Sequence, residues 1–153
     1  MKGRWFVTIL LIALGIQLYL LSSSVVAPLW RDIRSVANLP PFERSARLSF
    51  GDQFSEYIQF IVKVVPESGR VVLPPISVDD TYGNLGIMQF FLFPRSIVNC
   101  PSIDATDDCL ELFQGDDTYF LSVGTFPQKS KVDETRKYVP FEAELGLFLP
   151  LQF

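Results

Sequence analysis

Cys100 and Cys109 are the only cysteines in the chain. An even count at short spacing, in an oxidising compartment, predicts a disulfide. C-x8-C is not the spacing of a C-x-x-C redox pair, and no histidine or nearby base lowers a thiol pKa. Two cysteines alone make no zinc site. Asp104, Thr106 and Asp108 alternate like the start of a calcium loop. The glycine and glutamate such a loop needs are replaced by Cys109 and Gly115, so a solvated acidic loop is expected. Asp79-Asp80 and Asp116-Asp117 are paired carboxylates. Glycoside hydrolysis needs two carboxyls placed across a substrate. Adjacent acids in turns more often cap and solvate them. Arg95 follows a proline, and its guanidinium suits a phosphate or carboxylate. Its commoner use is to tie a loop to an acidic neighbour or to helix-end carbonyls. Gly83-Asn-Leu-Gly86 lacks the third glycine of a dinucleotide fingerprint. The chain has no histidine at all. That removes Ser-His-Asp and Cys-His triads, histidine zinc sites and histidine-ligated haem. No metal or cofactor is expected.

These residues must be positioned by a chain of 153 residues, long enough for one soluble domain of roughly 100 residues. Residues 5–30 hold no charged side chain, and the run from Trp5 to Leu21 is almost wholly apolar. A spanning helix needs about 20 predominantly apolar residues, so a transmembrane helix is expected over 5–27, after a cytoplasmic tail at 1–4. A cleaved signal peptide is the competing reading, with Val25-Val26-Ala27 resembling a cleavage site. Its apolar region is usually about 7–15 residues, shorter than this one, and Pro28 would follow the cut. Trp5, Tyr19 and Trp30 suit the membrane interfaces, with Arg31 and Arg34 beside the headgroups. Lys2 and Arg4 favour a cytoplasmic N-terminus. The net charge is −4, and the first thirty residues carry only those two cations, so the remainder is acidic. Nucleic acid is not an expected partner of such a surface.

Residues 28–48 read as a juxtamembrane connector broken by Pro28, Pro40 and Pro41. An extracytoplasmic domain is expected over 49–153. Ser49 reads as a helix cap with Asp52 three positions on. Phe54, Tyr57, Ile58, Ile61, Val62 and Val65 then repeat at helical spacing, up to Pro66. Strands are expected at 70–73, 96–99 and 118–123. Leu85 to Phe93 reads as strand or helix, with a buried helix favoured. The acidic connection from Cys100 to Asp117 has room for a helical turn at Leu110 to Phe113. Lys129 to Lys137 reads as a charged loop, and 138–153 as a strand or extended tail. The order is that of a small Rossmann-like α/β domain of three to four strands, mainly parallel sheet. Ligands of such folds sit at the carboxyl ends of the strands, which places any pocket near Pro74, Asp79, Asp80 and Tyr82.

Val64-Val-Pro66, Arg70-Val-Val-Leu-Pro74, Phe90-Phe-Leu-Phe-Pro-Arg95, Ser96-Ile-Val98 and Tyr119-Phe-Leu-Ser-Val123 together resemble small single-span bacterial envelope proteins. Those proteins carry a Y-x-L-Y-P-R-like signature between a buried helix and a strand. Here phenylalanines stand for its tyrosines. The resemblance covers about residues 50–125. It implies an extracytoplasmic domain near sugar-polymer and glycosyltransferase machinery, and it carries over no catalytic residue.

The expected function is that of a non-enzymatic accessory subunit. One helix anchors it in the bilayer, and the domain docks on other subunits at the outer face of a larger membrane complex. A respiratory or photosynthetic electron-transfer complex is the candidate host, with no electron carrier on this chain. Asp79, Asp80, Tyr82 and Arg95 are the candidate contacts for a ligand or partner. The alternative is an envelope protein assisting glycan assembly, as an enzyme helper or a ligand-binding module.

Overall fold

The structure is a computed structural model and describes residues 2–102, 106–113, 115, 117–127, 132, 136–142 and 144–150. Asp104, Asp116 and most of the predicted 129–137 loop lie outside the described residues. The chain divides into two compact units, residues 1–49 and 50–153.

The first unit is helical. α1 (Lys2–Leu21) runs through a π-helical turn (Ser22–Val26) into α2 (Ala27–Val36). From Val7 to Val36 this is one helix long and apolar enough to cross a membrane. Pro28 therefore does not break the chain. It sits two residues past the π turn inside this continuous helix, and the irregular π turn is where a helix accommodates the N–H that a proline lacks. The π turn widens the helix ahead of it, with the Ser23 and Ser24 hydroxyls donating to the Leu20 carbonyl. Trp5, Tyr19, Trp30, Arg31 and Arg34 are all exposed, and the Arg34 guanidinium lies 5.7 Å from the Trp30 ring centre. Nor is 37–48 an irregular connector, because Pro41 opens a further helix, α3 (Pro41–Phe50). Arg44 donates to the carbonyls of Ala37 (2.8 Å) and Leu39 (3.1 Å), where a cation complements the end of α2.

The second unit opens with Gly51 at φ +89°, a backbone conformation that favours glycine. Gly51, not Ser49, stands at the start of the next helix, since Ser49 is still inside α3. α4 (Asp52–Val64) buries Phe54, Tyr57, Ile58 and Ile61 of the predicted face, while Val62 at its edge is exposed. Leu85 to Leu92 is helical (α5), settled by the Asn84 side chain, which accepts from the N–H groups of Gly86 (3.0 Å) and Ile87 (3.1 Å). α6 (Thr106–Leu112) is longer than the single turn expected.

β1 (Arg70–Leu73), β2 (Ser96–Asn99), β3 (Thr118–Val123), β4 (Tyr138–Pro140) and β5 (Leu145–Phe148) form one sheet in the order β2-β1-β3-β5-β4. This is five strands, not three to four. β2, β1 and β3 are parallel, while β5 and β4 join antiparallel, so the sheet is mixed. The tail that read as one strand or an extended segment is a hairpin along the β3 edge.

Both faces of the sheet are buried. Val72, Phe120 and Phe148 lie in register across β1, β3 and β5 and pack with Phe126, Val132 and both cysteines. Val71, Leu73, Leu121 and Leu147 alternate to the opposite face and are fully buried there. Cys100 and Cys109 are bonded, with their Cα atoms 5.8 Å apart, tying α6 to the end of β2. Tyr57 reaches from α4 to the sheet, its hydroxyl donating to the Gly146 carbonyl at 2.6 Å and lying 3.3 Å from that of Ser122. These two residues are register partners on β5 and β3.

Candidate binding cleft

β1 leads through α5 to β2 on one side of it, and β2 leads through α6 to β3 on the other. Between β1 and β3 the direction of connection therefore reverses. The loops that leave two such strands diverge and open a crevice at their carboxyl ends. A cleft of about 450 Å³ lies at that place. Gln53, Val78, Asp79, Tyr82, Val123, Gly124, Glu142, Glu144 and Leu145 line it, and none of the nine is basic.

The wall after β1 is built by short-range hydrogen bonds. The Val78 N–H donates to the Pro75 carbonyl (2.9 Å) and the Gly83 N–H to that of Asp79 (3.0 Å). Asp79 Oδ1 accepts from the N–H groups of Thr81 (2.9 Å) and Tyr82 (2.8 Å). That carboxylate closes its own turn, as aspartate commonly does. The Asn99 side chain donates to the Gly83 carbonyl at 2.6 Å and holds the loop against the end of β2. The opposite wall comes from the turn joining β4 to β5. Phe141 and Glu142 donate their N–H groups to the Leu145 carbonyl (2.9 and 3.0 Å). Gly124, at φ +56°, donates to the Glu144 carbonyl at 3.0 Å and joins this turn to the end of β3. Gln53, in the first turn of α4, donates to Glu142 Oε2 at 2.6 Å.

Tyr82 is a buried residue of the lining, with only 8% of its surface exposed. Its ring stacks on Phe54 (centroids 5.6 Å, interplanar angle 23°) and meets Tyr57 edge-on (5.3 Å, 86°). Its hydroxyl makes no hydrogen bond to any described residue and keeps contact with solvent. Burial first, then the charges of Asp79 and Glu142, push its pKa up from 10.0 to about 12. The phenol is therefore neutral at physiological pH. A raised folded-state pKa stabilises the fold fully below the unfolded value and progressively less above it. Stability should thus fall as pH rises from about 10 to about 12, and Tyr82→Phe should flatten that limb in a denaturation series.

The sequence-derived candidates separate into three places. Asp79 and Tyr82 meet in the cleft. Asp80 is exposed and outside its lining. Arg95 lies at the amino end of β2, so it belongs to the other end of the parallel strands. It is buried, with Nε donating to the Val65 carbonyl and an Nη to that of Val62, both at 2.9 Å. It caps the end of α4, the use expected of most such arginines. Glu142, Glu144 and Gln53 were not singled out in the sequence. They come from two distant segments, and no local pattern marks them as partners of Asp79.

Both cysteines are in the disulfide, so neither is available as a nucleophile. Among the described residues no three histidine, cysteine, aspartate or glutamate side chains are grouped to hold a metal ion. The cleft as described offers carboxylates, a neutral phenol and an amide against the apolar walls of Val78, Val123 and Leu145. Comparison with family models finds no match, and comparisons with curated proteins and with solved structures find none either.

Proposed function

We propose that the chain is a membrane-tethered, non-catalytic accessory protein whose extracytoplasmic domain docks on a larger membrane complex through this cleft. α1 crosses the plasma membrane with the N-terminus in the cytoplasm, and a respiratory or photosynthetic complex is the candidate host. The long apolar helix supports the tether. The disulfide supports an oxidising compartment for the domain. The parallel β2-β1-β3 half, with a helix in each crossover, supports kinship with doubly wound Rossmann-like domains. The observation that carries the binding role is Tyr82: a clamped, buried ring whose hydroxyl bonds no described residue and opens to the cleft where the strand connections diverge.

Purification of the full chain from native membranes in mild detergent tests this reading. A stoichiometric assembly is expected, and Glu142→Lys with Glu144→Lys should break it up. Recovery of the wild-type chain alone would overturn the docking role.

A second reading, assistance to glycan assembly, is favoured by the mixture of carboxylates, phenol and amide. The same groups hydrogen-bond sugar hydroxyls.

A further inference from the structure

The cleft's ligand can be narrowed by charge and geometry, and the narrowing rests on the binding role proposed for the cleft. Asp79, Glu142 and Glu144 all line it, and among the described residues no lining side chain opposes their charge. An anionic ligand such as a phosphate or a nucleotide would meet three carboxylates with no cation among the described lining residues to offset them. A bare divalent ion is poorly served, because among the described residues no three acids gather on one point. Tyr82 supplies an independent indication of a polar ligand. Its ring is fixed between Phe54 and Tyr57, and its oxygen bonds no described residue and stays open to solvent, where a donor can reach it.

The geometry points to an organic cation, an ammonium or guanidinium group, entering between the 78–82 loop and the 142–145 turn. Its N–H groups bond a carboxylate of the lining, and one donates to the Tyr82 oxygen. Val78, Val123 and Leu145 flank the aliphatic stem that such a group carries. Gln53 already donates to Glu142 and holds that carboxylate in place, so the preorganisation lowers the ordering cost of binding. The group can arrive on a lysine or arginine side chain of a docked protein, or on a free amine.

Titrations of the full chain in neutral-lipid nanodiscs test the assignment. Agmatine and spermidine are the free-amine probes. A short lysine- and arginine-containing peptide is the side-chain probe, and glucose and glucose phosphate are the neutral and anionic controls. Heat release and the amide shifts of Gly124 and Leu145 are the readouts. Saturable binding of a cationic probe is expected. Glu142→Gln with Glu144→Gln should weaken it at least tenfold. Both glutamates sit at a turn surface, so this variant keeps its fold; unchanged unfolding midpoints check that. Saturation by agmatine or spermidine assigns a free amine, and saturation by the peptide alone assigns a side chain. Equal binding of glucose, or no saturation by any cation, overturns the inference. A chain that co-purifies with a complex yet binds no cation loses this assignment and keeps the docking role. A chain that binds cations but purifies alone loses the docking role only.

Discussion

Replacing both Cys100 and Cys109 by alanine is expected to lower the unfolding free energy by about 3 kcal/mol, read from urea denaturation of the full chain in detergent. The two residues are nine apart in sequence. Closing so short a loop removes entropy from the unfolded chain, worth roughly 3 kcal/mol in the chain-entropy model. The denaturant slope should steepen, because an uncrosslinked unfolded state exposes more surface. Packing adds to the loss. Both sulfurs lie in the cluster formed by Val72, Phe120, Phe126, Val132 and Phe148, which fills one face of the sheet. The bond also fixes α6 against the end of β2, one position past Asn99, whose side chain steadies the cleft loop. Ligand affinity should therefore fall with stability. An unchanged midpoint under reducing conditions would show that the core alone holds this end of the sheet.

What was legible in the sequence was legible because it was local. The face of α4 follows from Phe54, Tyr57, Ile58 and Ile61 recurring at three and four. β1, β2 and β3 follow from short apolar runs between prolines, glycines and acids. The disulfide follows from there being two cysteines with nowhere else to pair. The errors have local causes too. Pro28 and Pro41 read as breaks, yet Pro41 opens α3, where proline's fixed φ is an advantage, and Pro28 is taken up beside the π turn of a continuous helix. The start of α4 was assigned to Ser49, although Gly51 is the residue able to take φ +89°. The β4–β5 hairpin escaped notice because its turn, Phe141 to Glu144, carries no glycine, proline or asparagine. Gly146 sits inside β5, where it gives no turn signal. Missing the hairpin meant missing half the cleft. Glu142 and Glu144 face Asp79 only because β5 joins the edge of β3, a pairing that no spacing in the chain announces.

Gly83→Ala is expected to cost about 1–3 kcal/mol of stability, the range for overpacking a filled site, and to lower ligand affinity at least tenfold. A Cβ at this position would lie 2.5 Å from the Asp79 carbonyl oxygen and 2.8 Å from both the Ile76 Cα and the Pro75 carbonyl oxygen. All three are backbone atoms, so no side chain can swing aside to relieve the contact. The backbone itself is held from both sides. The Gly83 carbonyl accepts from Asn99 at 2.6 Å, and the next residue, Asn84, caps α5 with its side chain. Relief must come from the 75–82 loop, and that loop carries Asp79 and Tyr82 into the cleft. A shift there would break the Asp79 turn bonds to Thr81 and Tyr82, or lift Tyr82 off Phe54. The contrast with Gly124→Ala separates the two effects. That glycine has open space at its Cβ and a positive φ of 56°, so its cost is conformational, of order 1–2 kcal/mol, and leaves the 75–82 loop undisturbed. Amide shifts of Tyr82 and Asp79 should move in the Gly83 variant and stay in the Gly124 variant, which separates displacement of the 75–82 loop from a loss of stability alone. Full affinity in a Gly83→Ala chain that is measurably destabilised would mean that the loop after β1 does not form the ligand's wall.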